Sequence, residues 1–192
     1  MSSSIRPLAK GINATSRSES LRERELSNFA PWPFVLGGHF FANVEAFVQA
    51  IKYPEHSAER SKIATMRASM AKQQSPSTAP EFIEWNGRQI PFRSPGHLAL
   101  QAAGIFAKFD QNKEPLELLL ATGNLPITHD LSKPDRPWVE RPDTSLPAAA
   151  FSQILTETRG FFFGEMGVSD PAMIGDRPVY VTDKLVAYVR AI

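Results

Sequence analysis

The stretch LSNFAPWPFVLGGHFFANVE, which begins at Leu26, is the feature that most constrains how this chain folds. It concentrates five aromatic residues and two prolines in a short segment, directly after a start rich in serine and arginine. Within it, two short apolar runs flank Gly37-Gly38, and paired glycines supply the positive φ angles that tight hairpin turns require. The segment therefore predicts a two-stranded hairpin over residues 34–41.

Helix signals dominate the rest of the chain. Asn43 is a good N-cap for a helix over residues 44–53, which Pro54 would end. A second hairpin is predicted where Asn86-Gly87 joins two apolar runs. Further helices are predicted over residues 58–72, 97–109, 114–122 and 147–159, with a short terminal helix capped by Thr182. Because there is no alternation of strand and helix, we expect a helix-dominated α+β fold with a few short strands and hairpins.

The chain divides into three parts by composition. Residues 1–24 lack periodic apolar positions and are predicted to be a flexible N-terminal arm. Residues 25–159 carry most of the predicted elements and are expected to form one domain. Residues 160–192 are expected to form a C-terminal extension packed on that same domain. We find no internal repeat and no linker long enough to separate two domains.

Composition excludes several classes of function. The 192 residues contain no cysteine, which removes disulfides, thiolate catalysis and cysteine-ligated metal centres. Lys and Arg number 21 against 20 Asp and Glu, which excludes a strongly basic nucleic-acid-binding protein. Apolar runs are too short to cross a bilayer, and the N-terminus lacks the apolar core of a signal peptide. We therefore expect a cytoplasmic protein without membrane contact.

Motifs of the commonest enzyme chemistries are missing. The sequence has no dinucleotide- or phosphate-binding glycine motif, no nucleophile elbow and no zinc-protease motif. Its four histidines lie far apart, so we expect surface or lightly buried residues and no metal site. Ser69 and Lys72 match the S-x-x-K motif of penicillin-recognising enzymes, but its two companion motifs are absent and chance explains the match. We expect no cofactor.

Two predicted helices carry polar faces that have more than one interpretation. Glu45, Gln49 and Lys52 lie on one side of helix 44–53, where they are either solvated or functional. The next helix has a basic side, either solvated or able to bind phosphate, formed by Arg60, Lys62, Arg67 and Lys72.

One ordered set of residues extends across most of the chain. Its first part consists of the motifs S-N-F and W-P, a glycine turn, and a helix that contains E, Q-A and K. The residues are Ser27, Asn28, Phe29, Trp32, Pro33, Gly38, Glu45, Gln49, Ala50 and Lys52. An A-K-F segment and an L-L-A-T-G segment follow at Ala107, Lys108, Phe109, Leu119, Leu120, Ala121, Thr122 and Gly123, and a D-x-x-W pair follows at Asp135 and Trp138. Over about residues 26–159, this pattern resembles the NADAR/YbiA-like family of N-glycosidases.

The chain also departs from the family pattern. Tyr53 stands in place of a phenylalanine, Thr128 in place of an acidic residue, and Val139 in place of a glycine. The segment SLPAAAFS replaces the family's G-x-N-x-L-G element, and the Asn86-Gly87 hairpin stands where the family has a tryptophan at a helix entry. The resemblance is therefore that of a divergent member, whose substrate can differ from those of better-known relatives.

The resemblance implies a YbiA-like single domain that hydrolyses the bond between a ribose carbon and a nitrogen. Family substrates include ADP-ribose attached to guanine in nucleic acid and ribosylamino-pyrimidine phosphates of the riboflavin pathway. We expect the first, removal of ADP-ribose from a modified nucleobase, with at most local contact to single-stranded nucleic acid. The phosphorylated ribosyl-base of the riboflavin pathway is the alternative substrate.

The same resemblance suggests roles for individual residues. Glu45 would be the acid/base carboxylate, Lys52 a nucleophile that traps the opened ribose as a Schiff base, and Asp135 a second carboxylate. The expected substrate-binding residues are Asn28, Phe29, Trp32, Gln49, Arg67 and Trp138. Aromatic faces suit stacking on a base, although the three aromatic residues are equally suited to a core.

Two alternatives from other classes remain. The missing G-x-N-x-L-G element and Thr128 favour a module that binds ADP-ribose or a nucleotide without turnover. The three phenylalanines at residues 161–163 and the C-terminal extension would suit an interaction domain, although such a run is more often part of a core.

Overall fold

The computed structural model of the chain describes residues 11–133, 135–141, 144–165 and 179–191. Those ranges contain eight helices and six short strands: β1 Ile12–Asn13, α1 Leu21–Leu26, β2 Phe34–Leu36, β3 His39–Phe41, α2 Val44–Ala50, α3 Ala58–Ala64, α4 Ala68–Gln73, β4 Phe82–Trp85, β5 Arg88–Pro91, α5 Pro95–Gln111, α6 Lys113–Leu120, β6 Ile127–Thr128, α7 Ala148–Glu165 and α8 Asp183–Arg190. None of these helices has the length and apolar character needed to cross a bilayer. The helix-dominated α+β class is confirmed.

Both predicted hairpins are confirmed. β2 and β3 pair antiparallel around Gly37 and Gly38, whose φ angles are 59° and 74°. β4 and β5 pair in the same way around Asn86 and Gly87, whose φ angles are 49° and 70°. Two successive left-handed residues give a turn the twist of its flanking strands, which is why the local sequence was sufficient to predict both hairpins.

The segment before α1 differs from the flexible arm that the sequence predicts. β1 pairs in parallel with β6, with Ile12 opposite Ile127. The Asn13 side chain extends this pairing, because its amide donates to the Asp130 carbonyl at 2.8 Å and accepts from the Asp130 N–H at 2.9 Å. Residues 12–14 are therefore hydrogen-bonded to the domain, whereas residues 1–10 lie outside the described ranges.

The prediction of a single helix over residues 58–72 is wrong, because this segment forms two helices, α3 and α4. Arg67 has an extended backbone with φ −62° and ψ 146° between the two helices. Hydrogen bonds from the segment before α2 stabilise the break between the two helices. The Asn43 amide donates to the Met66 carbonyl at 2.9 Å, and the Ala42 N–H donates to the Ala64 carbonyl at 2.8 Å. These contacts place α4 beside α2.

The aromatic core forms where the first hairpin meets α2. Phe47 contacts Phe34, Phe41 and Trp85, with ring centroids 5.9, 5.0 and 5.9 Å apart. Behind it runs α5, which packs against α2, α6, α7, α8 and β2. Gly104 of α5 makes this close packing possible, since a Cβ atom there would lie 2.4 Å from the Phe47 ring.

The last helices close the other side of α5. The predicted fifth helix is longer than expected, because α7 continues to Glu165 and includes the three phenylalanines. Phe162 is buried and stacks on Phe106 with ring centroids 5.3 Å apart, so part of this run belongs to the core. The predicted terminal helix is confirmed as α8, capped by the Thr182 side chain. Residues 166–178 of the predicted irregular segment lie outside the described residues.

Candidate functional site

A cavity of about 930 Å³ lies beside α2 and α4. Its wall comes from segments that are far apart in sequence: residues 16–17, 27–29, 92–93, 138, 140–141, 144–146 and 151, with individual residues of α2 and α4, the turns after those two helices, and residues 129 and 131. A concave site of this size matches the upper range of small-molecule sites, about 300–1,000 Å³. The cavity is therefore the candidate functional site.

A chain of hydrogen bonds joins Glu45 and Gln49 of α2 to Lys52, which lies in the turn after that helix. The Gln49 amide nitrogen donates to Glu45 Oε1 at 2.7 Å, and the amide oxygen accepts from Lys52 Nζ at 2.8 Å. Glu45 is 5% exposed and Gln49 is 1% exposed, so neither is the solvated residue that the helical pattern alone allowed. Lys52 is half-buried and also donates to the Ser75 hydroxyl at 3.1 Å.

A second lysine reaches the same carboxylate from α4. Lys72 Nζ lies 3.2 Å from Glu45 Oε1, and both Lys72 and Ser69 line the cavity. The basic residues predicted to share one side of a helix therefore do not lie together in the structure. Lys72 lies at the site, whereas Arg60 is buried elsewhere and donates to the Glu84 carbonyl at 2.7 Å, with its guanidinium over the Trp85 ring.

The loop at residues 27–29 forms a wall next to Glu45 and is fixed from two sides. The Asn28 carbonyl accepts from the Glu45 N–H at 2.9 Å. Behind the loop, Lys108 is buried and donates to the carbonyls of Glu25 at 2.7 Å and Ser27 at 2.9 Å. Burial lowers the pKa of Lys108 to about 7, and the nearby Glu25 charge opposes this shift.

Aromatic side chains also form part of the cavity wall. Phe29 and Trp138 are both half-buried and line it. The His129 ring packs edge-on against Trp138 and Phe151, with centroids 6.3 and 5.1 Å away. His129 Nδ1 lies 2.8 Å from the Ala14 carbonyl, which can only accept a hydrogen bond, so Nδ1 carries a proton.

Four of the predicted site residues do not line the cavity. Gln49 is buried and hydrogen-bonded to Glu45 and Lys52, so it supports the wall without forming it. The other three lie away from the cavity. Trp32 donates from its indole nitrogen to the Glu25 carboxylate at 2.7 Å and is not part of the cavity wall. Asp135 is exposed on the loop between Lys133 and Arg136 and does not line the cavity. Arg67 is exposed at the start of α4. The geometry therefore brings together Glu45, Gln49, Lys52, Asn28, Phe29 and Trp138.

Several cavity residues were not found from the sequence. Three arginines line it, Arg17, Arg93 and Arg141, and each comes from a different segment without a motif. A second carboxylate is Glu140, whose Oε1 accepts from the Ala148 N–H at 2.6 Å at the first residue of α7. The sequence offers one related signal, Ser94-Pro95, which predicts that a helix starts just after Arg93. This signal does not indicate the direction of the Arg93 side chain.

His97 corrects the expectation that all four histidines lie at or near the surface. It is fully buried in the first turn of α5, beneath the Phe92 ring. Its Nδ1 accepts from the Arg93 N–H at 2.9 Å. Burial lowers the pKa of His97 to about 4, with further lowering by the charges of Lys52 and Arg93. The ring is therefore neutral at neutral pH.

Comparison with solved structures identifies the fold. The NMR structure of YbiA from E. coli matches with a TM-score of 0.55 and 20% sequence identity, covering 85% of this chain and 88% of YbiA. The chain is thus a divergent protein of the YbiA-like fold, which confirms the fold that the resemblance implied.

Comparison of sequences identifies the family. The family model of bacteriophage protein GP30.3 matches residues 21–160. An uncharacterized 17.1 kDa protein from the Gp30–rIII intergenic region of Enterobacteria phage T4 is 30% identical over 141 residues, covering 70% of this chain and 88% of that protein. The chain belongs to the bacteriophage GP30.3 family, a family of the NADAR type.

Proposed function

We propose that the protein is an N-glycosidase that hydrolyses the bond between a ribose C1′ atom and a base nitrogen. Its preferred substrate in this proposal is a guanine that carries ADP-ribose in nucleic acid. Hydrolase activity is known for the YbiA/NADAR-like family. The observation that best supports the proposal is the hydrogen-bonded chain Glu45–Gln49–Lys52, whose two charged ends line the cavity.

The chain of contacts suits a reaction through a lysine adduct. The Lys52 amine attacks C1′ as the bond to the base nitrogen breaks. Glu45 takes the proton that the amine loses and passes it to the departing nitrogen. The ribose ring opens to an imine on Lys52, and water then adds to the imine carbon. This releases ADP-ribose and restores the free amine.

The rest of the cavity suits the remaining parts of such a substrate. Phe29 and Trp138 offer aromatic faces to a base, and stacking contributes about 1–3 kcal/mol per base. Three cavity arginines are suited to phosphate, because a guanidinium makes paired hydrogen bonds with phosphate oxygens. In this proposal the Glu45 carboxylate also stabilises positive charge at the ribose carbon as the bond breaks.

The proposal is tested by incubating the protein with an oligonucleotide that carries ADP-ribose on guanine and measuring released ADP-ribose by chromatography. We expect release by the unmodified protein and a decrease of about a hundredfold or more for Glu45→Gln. Glu59→Gln is the matched control, because Glu59 is exposed on α3 and does not line the cavity. Equal activity of Glu45→Gln and the unmodified protein would contradict the role of Glu45.

Two other outcomes would change the proposal. Release of ribose 5-phosphate from a ribosylamino-pyrimidine phosphate, with no action on the oligonucleotide, would replace the substrate but not the reaction. Binding of ADP-ribose without turnover of either substrate would replace the enzyme with a binding module.

A further inference from the structure

Arg93, between β5 and α5, has an unusual backbone. Its φ angle is +63°, and among the described residues only Asn86 shares a positive φ without being glycine. Asparagine adopts this conformation readily in turns, but a long side chain does so at an energetic cost. A residue held in this way beside a cavity points to a functional constraint on its side chain.

Contacts around His97 maintain this conformation. The Arg93 N–H donates to His97 Nδ1 at 2.9 Å, and the His97 N–H donates to the Ser94 hydroxyl at 3.2 Å. The Phe92 ring covers the imidazole with centroids 4.8 Å apart, and the Gln101 amide lies 3.1 Å from the other ring nitrogen. Because the imidazole is fully buried and neutral, Nδ1 stays available as an acceptor.

The conformation places Arg93 in the wall of the cavity. Phe92 and Arg93 both line it, and the guanidinium carbon lies 5.3 Å from the centroid of the Phe92 ring. Arg93 therefore lines the same cavity as Lys52, the proposed nucleophile.

We propose that Arg93 binds the phosphate group of the ligand, and that His97 is a positioning residue that keeps Arg93 in the left-handed conformation. The identity of the phosphate rests on the proposed function, because an ADP-ribosyl substrate carries two phosphates. The binding of an oxyanion by Arg93 does not depend on turnover.

The first test titrates the full chain with inorganic pyrophosphate and follows backbone and arginine side-chain signals by NMR. We expect Arg93→Gln to weaken pyrophosphate binding about tenfold or more, because it removes a charge-assisted hydrogen bond. Arg93→Lys keeps the charge but not the paired geometry and should be intermediate. Arg88→Gln is the matched control, an exposed arginine of β5 outside the cavity wall. Unchanged affinity in Arg93→Gln, or no binding by the unmodified protein, would overturn the assignment.

The second test examines His97 with ADP-ribose and with adenosine, which lacks phosphate. His97→Leu removes the acceptor, so we expect the affinity for ADP-ribose to fall about tenfold while that for adenosine changes less than about twofold. His97→Asn should keep ADP-ribose binding, because its side-chain oxygen can occupy the place of Nδ1. Equal losses for both ligands, or equal behaviour of the two variants, would indicate a merely structural role and overturn the positioning role of His97.

Failure of this inference is distinguishable from failure of the proposed function. If no substrate is hydrolysed but pyrophosphate binding depends on Arg93, the glycosidase proposal fails and the phosphate site stands. If hydrolysis depends on Glu45 but neither binding nor turnover responds to Arg93, the glycosidase proposal stands and the phosphate site is wrong.

Discussion

Gln49 connects the two groups on which the proposed chemistry depends. Its amide has one donor end, which faces Glu45, and one acceptor end, which faces Lys52. A carboxylate at this position could not donate, and an apolar side chain could do neither. Because Gln49 is buried, water cannot easily replace these hydrogen bonds.

Replacing Gln49 should therefore separate catalysis from binding. For Gln49→Leu we expect kcat to fall about tenfold or more, since Glu45 and Lys52 lose a shared partner. The Kd for ADP-ribose should stay within about twofold, because Gln49 does not form the cavity wall itself. Steady-state kinetics and calorimetry measure the two quantities. Gln89→Leu, an exposed change on β5, is the control, and an unchanged kcat in Gln49→Leu would contradict the prediction.

The two cavity lysines can be distinguished by trapping. Borohydride reduces an imine between lysine and an opened ribose to a stable amine, which mass spectrometry locates in the chain. We expect the adduct with ADP-ribose to disappear in Lys52→Met and to persist in Lys72→Met, because the resemblance assigns the nucleophile to Lys52 and Lys72 pairs with Glu45. Persistence of the adduct in Lys52→Met would transfer the nucleophilic role to another lysine.

At the scale of helices and strands, the correct predictions are those that depend on residues adjacent in sequence. The hairpins depend on turn residues that are neighbours in sequence, so the pairs Gly37-Gly38 and Asn86-Gly87 were sufficient. The division of helix 58–72 depends instead on a hydrogen bond from Asn43, which lies in another part of the sequence. Helical periodicity through Ile63, Met66 and Met70 contains no information about that contact.

Two helical glycines allow a test of how closely α5 packs against α2. Gly104→Ala should destabilise the protein by about 1–3 kcal/mol, because a Cβ atom would lie 2.4 Å from the Phe47 ring in a filled core. Gly164→Ala on α7 should instead stabilise it by about 0.5–1 kcal/mol, because nothing lies within 4 Å and alanine favours a helix. Urea denaturation measures both, and equal effects at the two positions would be inconsistent with this packing.

For the molecule as a whole, the sequence contained the α2 half of the candidate site but not the rest. Glu45 and Gln49 lie in α2 and Lys52 lies in the turn that directly follows it, so their proximity follows from their local spacing in the sequence. Lys72 and Arg93 reach the cavity only because the helix break and the entry to α5 direct them there. Asp135 matched the family motif but lies outside the cavity, since a motif match does not determine the path of a loop.

Global stability should depend on pH through His97. Burial, with the charges of Lys52 and Arg93, lowers the pKa of His97 from 6.5 to about 4. The unfolded chain therefore binds a proton at a higher pH than the folded chain, and the free energy of unfolding decreases as pH falls from 6.5 to about 4. The decrease due to this residue should be about 3 kcal/mol and should level off at lower pH.

Comparison of two proteins isolates this contribution. His97→Asn removes the titrating ring, so its free energy of unfolding should fall less between pH 7 and pH 4 than that of the unmodified protein (about 3 kcal/mol less). Urea denaturation at several pH values gives both curves. Other titrating groups contribute equally to the two curves, and identical slopes would show that His97 is not buried in its neutral form.

The parallel pairing of β1 with β6 has a consequence during synthesis of the chain. Ile12 leaves the ribosome early, but its partner segment follows much later, since Thr128 is 116 residues further along. The cavity wall also includes Phe151, so the wall cannot be complete until most of the polypeptide has been translated. Shorter nascent chains can form the first hairpin, α2 and the turn after it, which already contain Glu45 and Lys52, but they lack the rest of the cavity wall. Ligand binding should therefore arise abruptly, near the end of translation, rather than gradually as the chain grows.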